Sequence, residues 1–159
     1  KQYLGPNRPL IVVNSFMVRR HFEEYYGVPS ESVRVVRSAI DPLRFVAEDR
    51  LKRRHEERER WGVAPNETVG LFVAMNYRLK GLSQLLNANS LTPRQVPNRL
   101  VVVGHLKFGG YARQARRLGI ADRVIFLGHR SDPKDCYFAA DYLVHHLRQA
   151  GGRPEEGQN

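Results

Sequence analysis

The apolar positions of this chain fall into short continuous runs, separated by polar stretches in which apolar residues return every three or four positions. "PLIVVN" at 9–14 reads as a short buried strand. "FMVRRHFEEYY" follows, with Phe16, Met17, Phe22, Tyr25 and Tyr26 at near-helical spacing. Ser15 suits the N-cap of that helix, and Gly27 is placed to end it. A second strand, "VRVVR" at 33–37, leads through the turn "AIDPLRF" into "AEDRLKRRHEERERWG". The mixed charge of that segment predicts a helix with a solvated face. From residue 69 the alternation becomes regular. The strands "VGLFVA", "RLVVVG", "RVIFLG" and "DYLVHH" are separated by the helices "GLSQLLNA", "YARQARRLG" and "DPKDCYFAA". In the last helix Asp132 is expected at the N-cap and Pro133 at the first helical position. Continuous apolar strands alternating with helices predict an α/β architecture, a doubly wound parallel sheet. The final stretch "LRQAGGRPEEGQN" has no periodicity, which predicts a disordered tail over 147–159 and a sheet with an edge or face left uncovered.

Composition narrows the partners. With 159 residues and 42% hydrophobic content the chain can bury a core. The 26 Lys and Arg against 16 Asp and Glu give a net charge of +10, which favours nucleic acid, acidic lipid or phosphorylated small molecules. The longest apolar runs fall far short of the roughly 20 residues of a membrane-spanning helix. "KQYLGPNRP" has no signal-peptide core, so a cytoplasmic protein is expected. It also has no initiator Met, which suggests a piece of a longer chain. The lone Cys136 cannot form an internal disulfide. Set among Tyr137, Phe138 and Ala139, it reads as a small core residue. Six histidines raise the question of a metal, but His145 and His146 are adjacent on a strand and point to opposite faces. No cysteine lies at ligand spacing, so no metal is expected.

Open α/β sheets bind ligands at the carboxyl ends of their strands. The loops there are "MNYRLKG" (75–81), "GHLKFGG" (104–110) and "GHRSDP" (128–133), each with glycine and at least one cation. Glycine allows close backbone approach, and a helix N-terminus adds N–H groups and partial positive charge. Arg78 and Lys80, where a strand hands over to a helix, are therefore placed to neutralise phosphates; the plainer reading is a pair of solvated surface cations. Neither GxGxxG nor GxxxxGK[ST] occurs, so no dinucleotide fingerprint or P-loop is indicated.

The order "VVNSFMVRRHFEEYYGVPSESVRVVRSAIDPLRF", "LFVAMNYRLKGLSQLL", "LVVVG" and "LGIADRVIFLGHRSDPKDCYFAADYLVH" resembles the retaining glycosyltransferases of the GT-B fold, family 4, in their lipopolysaccharide-core glucosyltransferase branch. That resemblance implies a Rossmann-like C-terminal donor domain, here incomplete, and a hexosyltransferase-type activity in cell-envelope polysaccharide biosynthesis. It implies transfer from a nucleotide sugar, expected to be a UDP-sugar, to a glycan or lipid-linked acceptor, without a metal cofactor. The boundaries it implies are 1–45 for the end of the acceptor-side domain and the crossover, 46–62 for a charged connecting helix and 63–146 for the nucleotide-sugar-binding domain. Lys80 is carried over as the catalytic contact to the donor diphosphate, with Arg78 beside it. Asn76, Gly81, Gly104, His129 and Arg130 are carried over to nucleotide binding.

The chain departs from the family pattern after "LVH", where a loop and a helix with two glutamates eight positions apart are expected. Glu155 and Glu156 are adjacent, so those roles are not transferred to them, and a truncated or frame-shifted reading is the hypothesis this raises. As a fragment the chain is expected to be inactive alone, to pair with a second copy through its uncovered sheet, and to sit at the periphery of anionic membrane. A different reading is a non-catalytic basic α/β module that binds RNA or another polyanion through Arg113, Arg116, Arg117 and Arg123.

Overall fold

A computed structural model describes residue 5 and residues 8–145, in two compact units that divide between Phe45 and Val46. In the first unit, β1 (Ile11–Val13) and β2 (Val33–Val35) pair in parallel, with Ile11 opposite Val33. Helix α1 (Phe16–Tyr26) connects them. Ser15 caps α1 by accepting the Val18 N–H at 3.2 Å, and Gly27 ends it in the left-handed conformation at φ 61°. Val13, Val28 and Val33 form a small buried core, on which Val18 and Phe22 pack. "DPLRF" contains a short 3₁₀ turn at Pro42–Phe45.

The second unit holds α2 (Arg50–Arg60), β3 (Thr68–Ala74), α3 (Leu82–Ser90), β4 (Asn98–Gly104), α4 (Gly109–Arg117), β5 (Val124–Gly128), α5 (Lys134–Ala139) and β6 (Tyr142–Leu143). Its four strands are all parallel, in the order β5-β4-β3-β6. Side chains alternate across the sheet, so each strand supplies both faces. Phe72, Leu100 and Val102 pack with Leu82 and Leu86 of α3 and Ala115 of α4. Val69, Leu71, Val101 and Val103 pack on the other face with Trp61, Cys136 and Ala139. The doubly wound α/β sheet is thus observed, and both of its faces are covered. The expectation of an open face fails because α2, placed ahead of the sheet, returns to lie beside α5.

The run at 48–60 departs furthest from expectation. Its helix has the expected solvated face, with Arg50, Lys52, His55, Glu59 and Arg60 exposed, but Glu57 and Arg58 on the opposite side are buried. Helix α5 ends with carbonyls that have no intrahelical partner, and such groups need donors. Arg54 donates to the carbonyls of Phe138 and Ala139 at 3.1 Å and of Ala140 at 2.9 Å. Arg58 donates to Ala139 at 3.2 Å and to the carbonyl of Glu67, and both arginines pair with Asp141. Asp141 in turn accepts the Val69 N–H at 2.7 Å and gives its own N–H to the Val69 carbonyl at 2.8 Å, which fixes β6 beside β3.

Smaller corrections concern ends. Helix α5 begins at Lys134, one residue later than expected, with Pro133 in the capping position. Asp132 instead accepts the Lys134 N–H at 3.1 Å. The last strand contracts to Tyr142–Leu143, because only Gly70 and Leu71 of β3 pair with it; His145 follows it and is not on a strand. His146 and the tail expected over 147–159 lie outside the described residues. Cys136 is buried in the core as expected. Burial, reinforced by Glu57, pushes its thiol up to about 11 against the opposing pull of Arg130.

Candidate functional site

Because the strands run parallel, the loops after β3, β4 and β5 leave the same edge of the sheet. β3 has β4 on one side and β6 on the other, so strand order reverses beside it. Ligands of open α/β sheets lodge at such a reversal.

The loop after β3 is folded by its own polar groups. Asn76 accepts the Leu79 N–H on Oδ1 at 2.9 Å and the Lys80 N–H on its carbonyl at 3.0 Å. Tyr77 accepts the Leu82 N–H on its carbonyl at 3.0 Å. Gly81 stands at the N-cap of α3 with φ 74°, a conformation that a side chain resists. The N–H groups of Lys80 and Leu82 are therefore spent inside the turn, and the start of α3 offers fewer free donors than the sequence suggested. Charge here falls to the side chains. Arg78 is exposed and Lys80 half-buried, and neither head group makes an ion pair among the described residues.

Sequence reasoning missed Tyr77, which in "NYRLKG" reads as one more loop residue. Its side chain is buried, and its hydroxyl donates to the His105 carbonyl at 3.0 Å. The Tyr111 ring stands edge-on to it at 5.6 Å. Burial pushes the Tyr77 phenol up, only partly opposed by the bond to His105. Tyr77 thereby ties the loop after β3 to the loop after β4. Between those loops lies a cleft of about 290 Å³, lined by Asn76, Tyr77, Arg78, His105, Lys107 and Tyr111 along with Met75.

The other expected residues are distributed around this edge. Lys80 and Gly81 sit at the base of α3 and do not line the cleft. Gly104 ends β4 at φ 138°, where a Cβ would stand 1.8 Å from the Ala74 carbonyl oxygen, so backbone contact with β3 accounts for glycine there. His129 and Arg130 are exposed on the loop after β5, two strands from β3, and also stand outside the cleft. Arg113, Arg116 and Arg117 are exposed on α4. Arg123 is buried and donates to the carbonyls of Thr92 at 3.0 Å and Pro93 at 3.3 Å, so it cannot join them in a polyanion surface. Among the described residues no three His, Cys, Asp or Glu side chains converge as a metal site, and no helix is long and apolar enough to cross a membrane.

A parallel sheet with helices on both faces and cationic loops at its carboxyl edge defines an α/β ligand-binding domain. Residues 53–156 match the glycosyl transferases group 1 family, and the chain belongs to that family. It is similar to the lipopolysaccharide glucosyltransferase WaaG of Escherichia coli, 26% identical over 126 residues that cover 78% of this chain and 34% of that protein. A D-inositol 3-phosphate glycosyltransferase of Segniliparus rotundus is 32% identical over 120 residues, 72% of this chain and 26% of that one. The chain thus spans about a third or less of the length of these relatives. In fold it superposes on the WaaG crystal structure with a TM-score of 0.79 at 22% identity, covering 93% of this chain and 40% of that one. It superposes on Anabaena HepE in complex with UDP and glucose with a TM-score of 0.73 at 26% identity, covering 88% and 38%. The sheet is that of GT-B glycosyltransferase structures.

Proposed function

We propose that this chain forms the nucleotide-sugar side of a retaining, family 4 glycosyltransferase that moves a hexose from a UDP-sugar to a glycan or lipid-linked acceptor of the cell envelope. One observation carries the reading. Lys80 stands at the strand reversal without a carboxylate partner among the described residues, one residue before the left-handed Gly81 that caps α3. The UDP-glucose complex of HepE, 25% identical to this chain, supports the choice of donor.

In such a transfer the bond between the sugar carbon and the diphosphate oxygen breaks, and negative charge grows on the leaving phosphate. A fixed cation at that oxygen stabilises the transition state more than the ground state, and contacts of this kind contribute about 10²–10³ in rate. Lys80 supplies that cation, and Arg78 adds to the positive field. The reading calls on no metal. Asn76 shapes the turn, and His129 and Arg130 are assigned to the nucleoside end. In the same reading residues 1–45 close the acceptor-side domain and cross over, 46–62 form the connecting helix and 63–146 hold the donor. The protein would work in the cytoplasm against an anionic membrane surface, with pairing to a second copy. Catalysis also needs the acceptor held in line with the donor. Residues 1–159 by themselves are therefore expected to bind donor without transferring sugar.

The test is calorimetric titration of the chain with UDP beside its Lys80→Ala variant. Saturable binding that weakens about tenfold in the variant is expected, the size of one charge-assisted contact. A folded chain that binds no UDP overturns the donor reading. Transfer from a labelled UDP-sugar by residues 1–159 alone would overturn the expectation of inactivity.

A further inference from the structure

The two helix layers that cover the sheet of the second unit differ in charge. On one side lie α2, with Glu56, Glu57 and Glu59, and α5, with Asp135; Asp141 beyond α5 pairs with Arg54 and Arg58 of α2. On the other side lie α3 and α4, and neither carries a carboxylate. The gap extends past the helices, since the chain contains no Asp or Glu between Glu67 and Asp122.

The outer surface of the α3/α4 layer follows from how its helices are held. Tyr111 and Ala115 of α4 pack on the core. Gln114 locks α4 to α3: its Nε2 donates to the Ser83 carbonyl and to Asn87 Oδ1, each at 3.1 Å, and its Oε1 accepts the Ser83 hydroxyl at 3.0 Å. Helical spacing then groups Arg113, Arg116 and Arg117 within one turn on the remaining face, and all three are exposed. With Gly110 they line a shallow depression. None of their side chains has an ion-pair or hydrogen-bond partner among the described residues, whereas Arg94 and Arg99 pair with Asp122 and Glu67. On α3 the neighbouring exposed positions are neutral, Gln84, Asn87 and Ala88, and Leu91 at its end is 83% exposed.

Free cations on an open surface, with neutral neighbours and no carboxylate, suit an extended anionic plane better than a single small anion. The exposed Leu91 adds an apolar contact of the kind that meets the headgroup boundary of a bilayer. Nucleic acid fits less well. Its bases call for aromatic platforms, and the rings nearest the arginines in sequence, Phe108 and Tyr111, pack on the core. We propose that the α3/α4 layer is the face this protein sets against an anionic lipid surface, with Arg113, Arg116 and Arg117 as its charged contacts. The inference rests on the membrane setting of the proposed function and gives that setting a surface. It makes no use of the donor loops. A helix layer lies parallel to the sheet it covers, so docking through α3 and α4 lays the sheet along the membrane. The carboxyl edge then opens along the lipid surface and not into it, and UDP enters from solvent.

The test titrates the whole chain with vesicles of phosphatidylcholine containing phosphatidylglycerol, and with vesicles of phosphatidylcholine alone, and reads binding by co-sedimentation. Two double variants are compared. Arg113→Gln with Arg117→Gln removes exposed charge from α4, and Arg50→Gln with Lys52→Gln removes the same charge from exposed positions of α2 in the opposite layer. Binding to the anionic vesicles only is expected, weakened by added salt and by about fivefold for each α4 arginine lost. The α2 pair is expected to leave it nearly unchanged. Equal loss in the two pairs overturns the proposal, because net charge and not this face then drives binding. No binding to anionic vesicles overturns it together with the membrane setting. Tighter binding of a single-stranded RNA that displaces the vesicles overturns it in favour of nucleic acid. Vesicle binding that needs the α4 arginines in a chain that binds no UDP would remove the donor reading and leave this surface standing.

Discussion

At the scale of single residues, the positions that matter most are those where the backbone leaves no choice. Gly104 shows it most clearly. Its φ of 138° and the 1.8 Å separation between a built Cβ and the Ala74 carbonyl oxygen mean that alanine would force β4 away from β3. The neighbour is backbone and cannot rotate aside. Gly104→Ala is therefore expected to destabilise the chain by about 2–4 kcal/mol, the range for strain at a special backbone conformation plus a core displaced. Urea unfolding measures it; a loss below about 1 kcal/mol would mean that the strands separate there at little cost. The sequence placed this glycine at the end of a strand but offered a ligand as its reason. The reason lies across the sheet, in a residue 30 positions earlier, and no local pattern could reveal it. Tyr77 was illegible for the same cause, since its hydroxyl bond to His105 joins two loops that only the fold brings together.

At the scale of elements, apolar periodicity located the strands of the second unit and the α-helices between them, because burial on both faces writes continuous runs into the strands. What it could not find was the work of α2. Charges spaced along a helix look the same whether they meet water or the orphan carbonyls of another helix. Arg54 and Arg58 meet the carbonyls at the end of α5 and the carboxylate of Asp141. This arrangement predicts a pH dependence. Burial alone would raise the Asp141 carboxyl, but the Val69 N–H and the two arginines outweigh it and hold the group below the usual range. Glu67 is likewise held down by the Ala64 N–H and Arg99 against its burial. A carboxyl depressed on folding contributes stability that is fully present above its unfolded value and is lost as pH falls through its folded value. The loss should begin as pH drops below the ordinary carboxylate range near 4. Asp141→Asn keeps one acceptor for Val69 but removes the charge. It is expected to lower stability at pH 7 and to flatten the fall between about pH 4 and pH 2. Urea midpoints across that range check it. A variant with an unchanged acid slope would show that Asp141 does not couple the helices.

At the scale of the whole molecule, the two units differ in how much they bury. The second unit has a two-faced core in which Val69, Leu71, Phe72, Leu82, Leu86, Val101 and Val102 are all at most 1% exposed. Each such side chain contributes about 1.5–3 kcal/mol on burial. Among the described residues the first unit buries Val13, Val28 and Val33 in its core, with Ile11, Val18, Phe22 and Val35 partly buried against them, while Leu10, Val12, Phe16 and Met17 are each about 60% exposed. Ordering a backbone costs about 1–2 kcal/mol per residue, and three buried valines offset little of that. Stability should therefore be uneven along the chain, with local opening far easier in the first unit. Amide hydrogen exchange resolves this directly. The N–H groups of β3 and β4, paired through their full length from Thr68 opposite Asn98 to Ala74 opposite Gly104, are expected to exchange only through global unfolding. Those of β1 and β2 are expected to exchange at least a hundredfold faster, a gap of about 2.7 kcal/mol or more in opening free energy. Equal protection in the two pairs would mean that the first unit draws stability from contacts beyond its own core. The donor site proposed above lies wholly within the second unit, so UDP is expected to slow exchange in the loops at 75–81 and 104–110 and leave β1 and β2 unchanged.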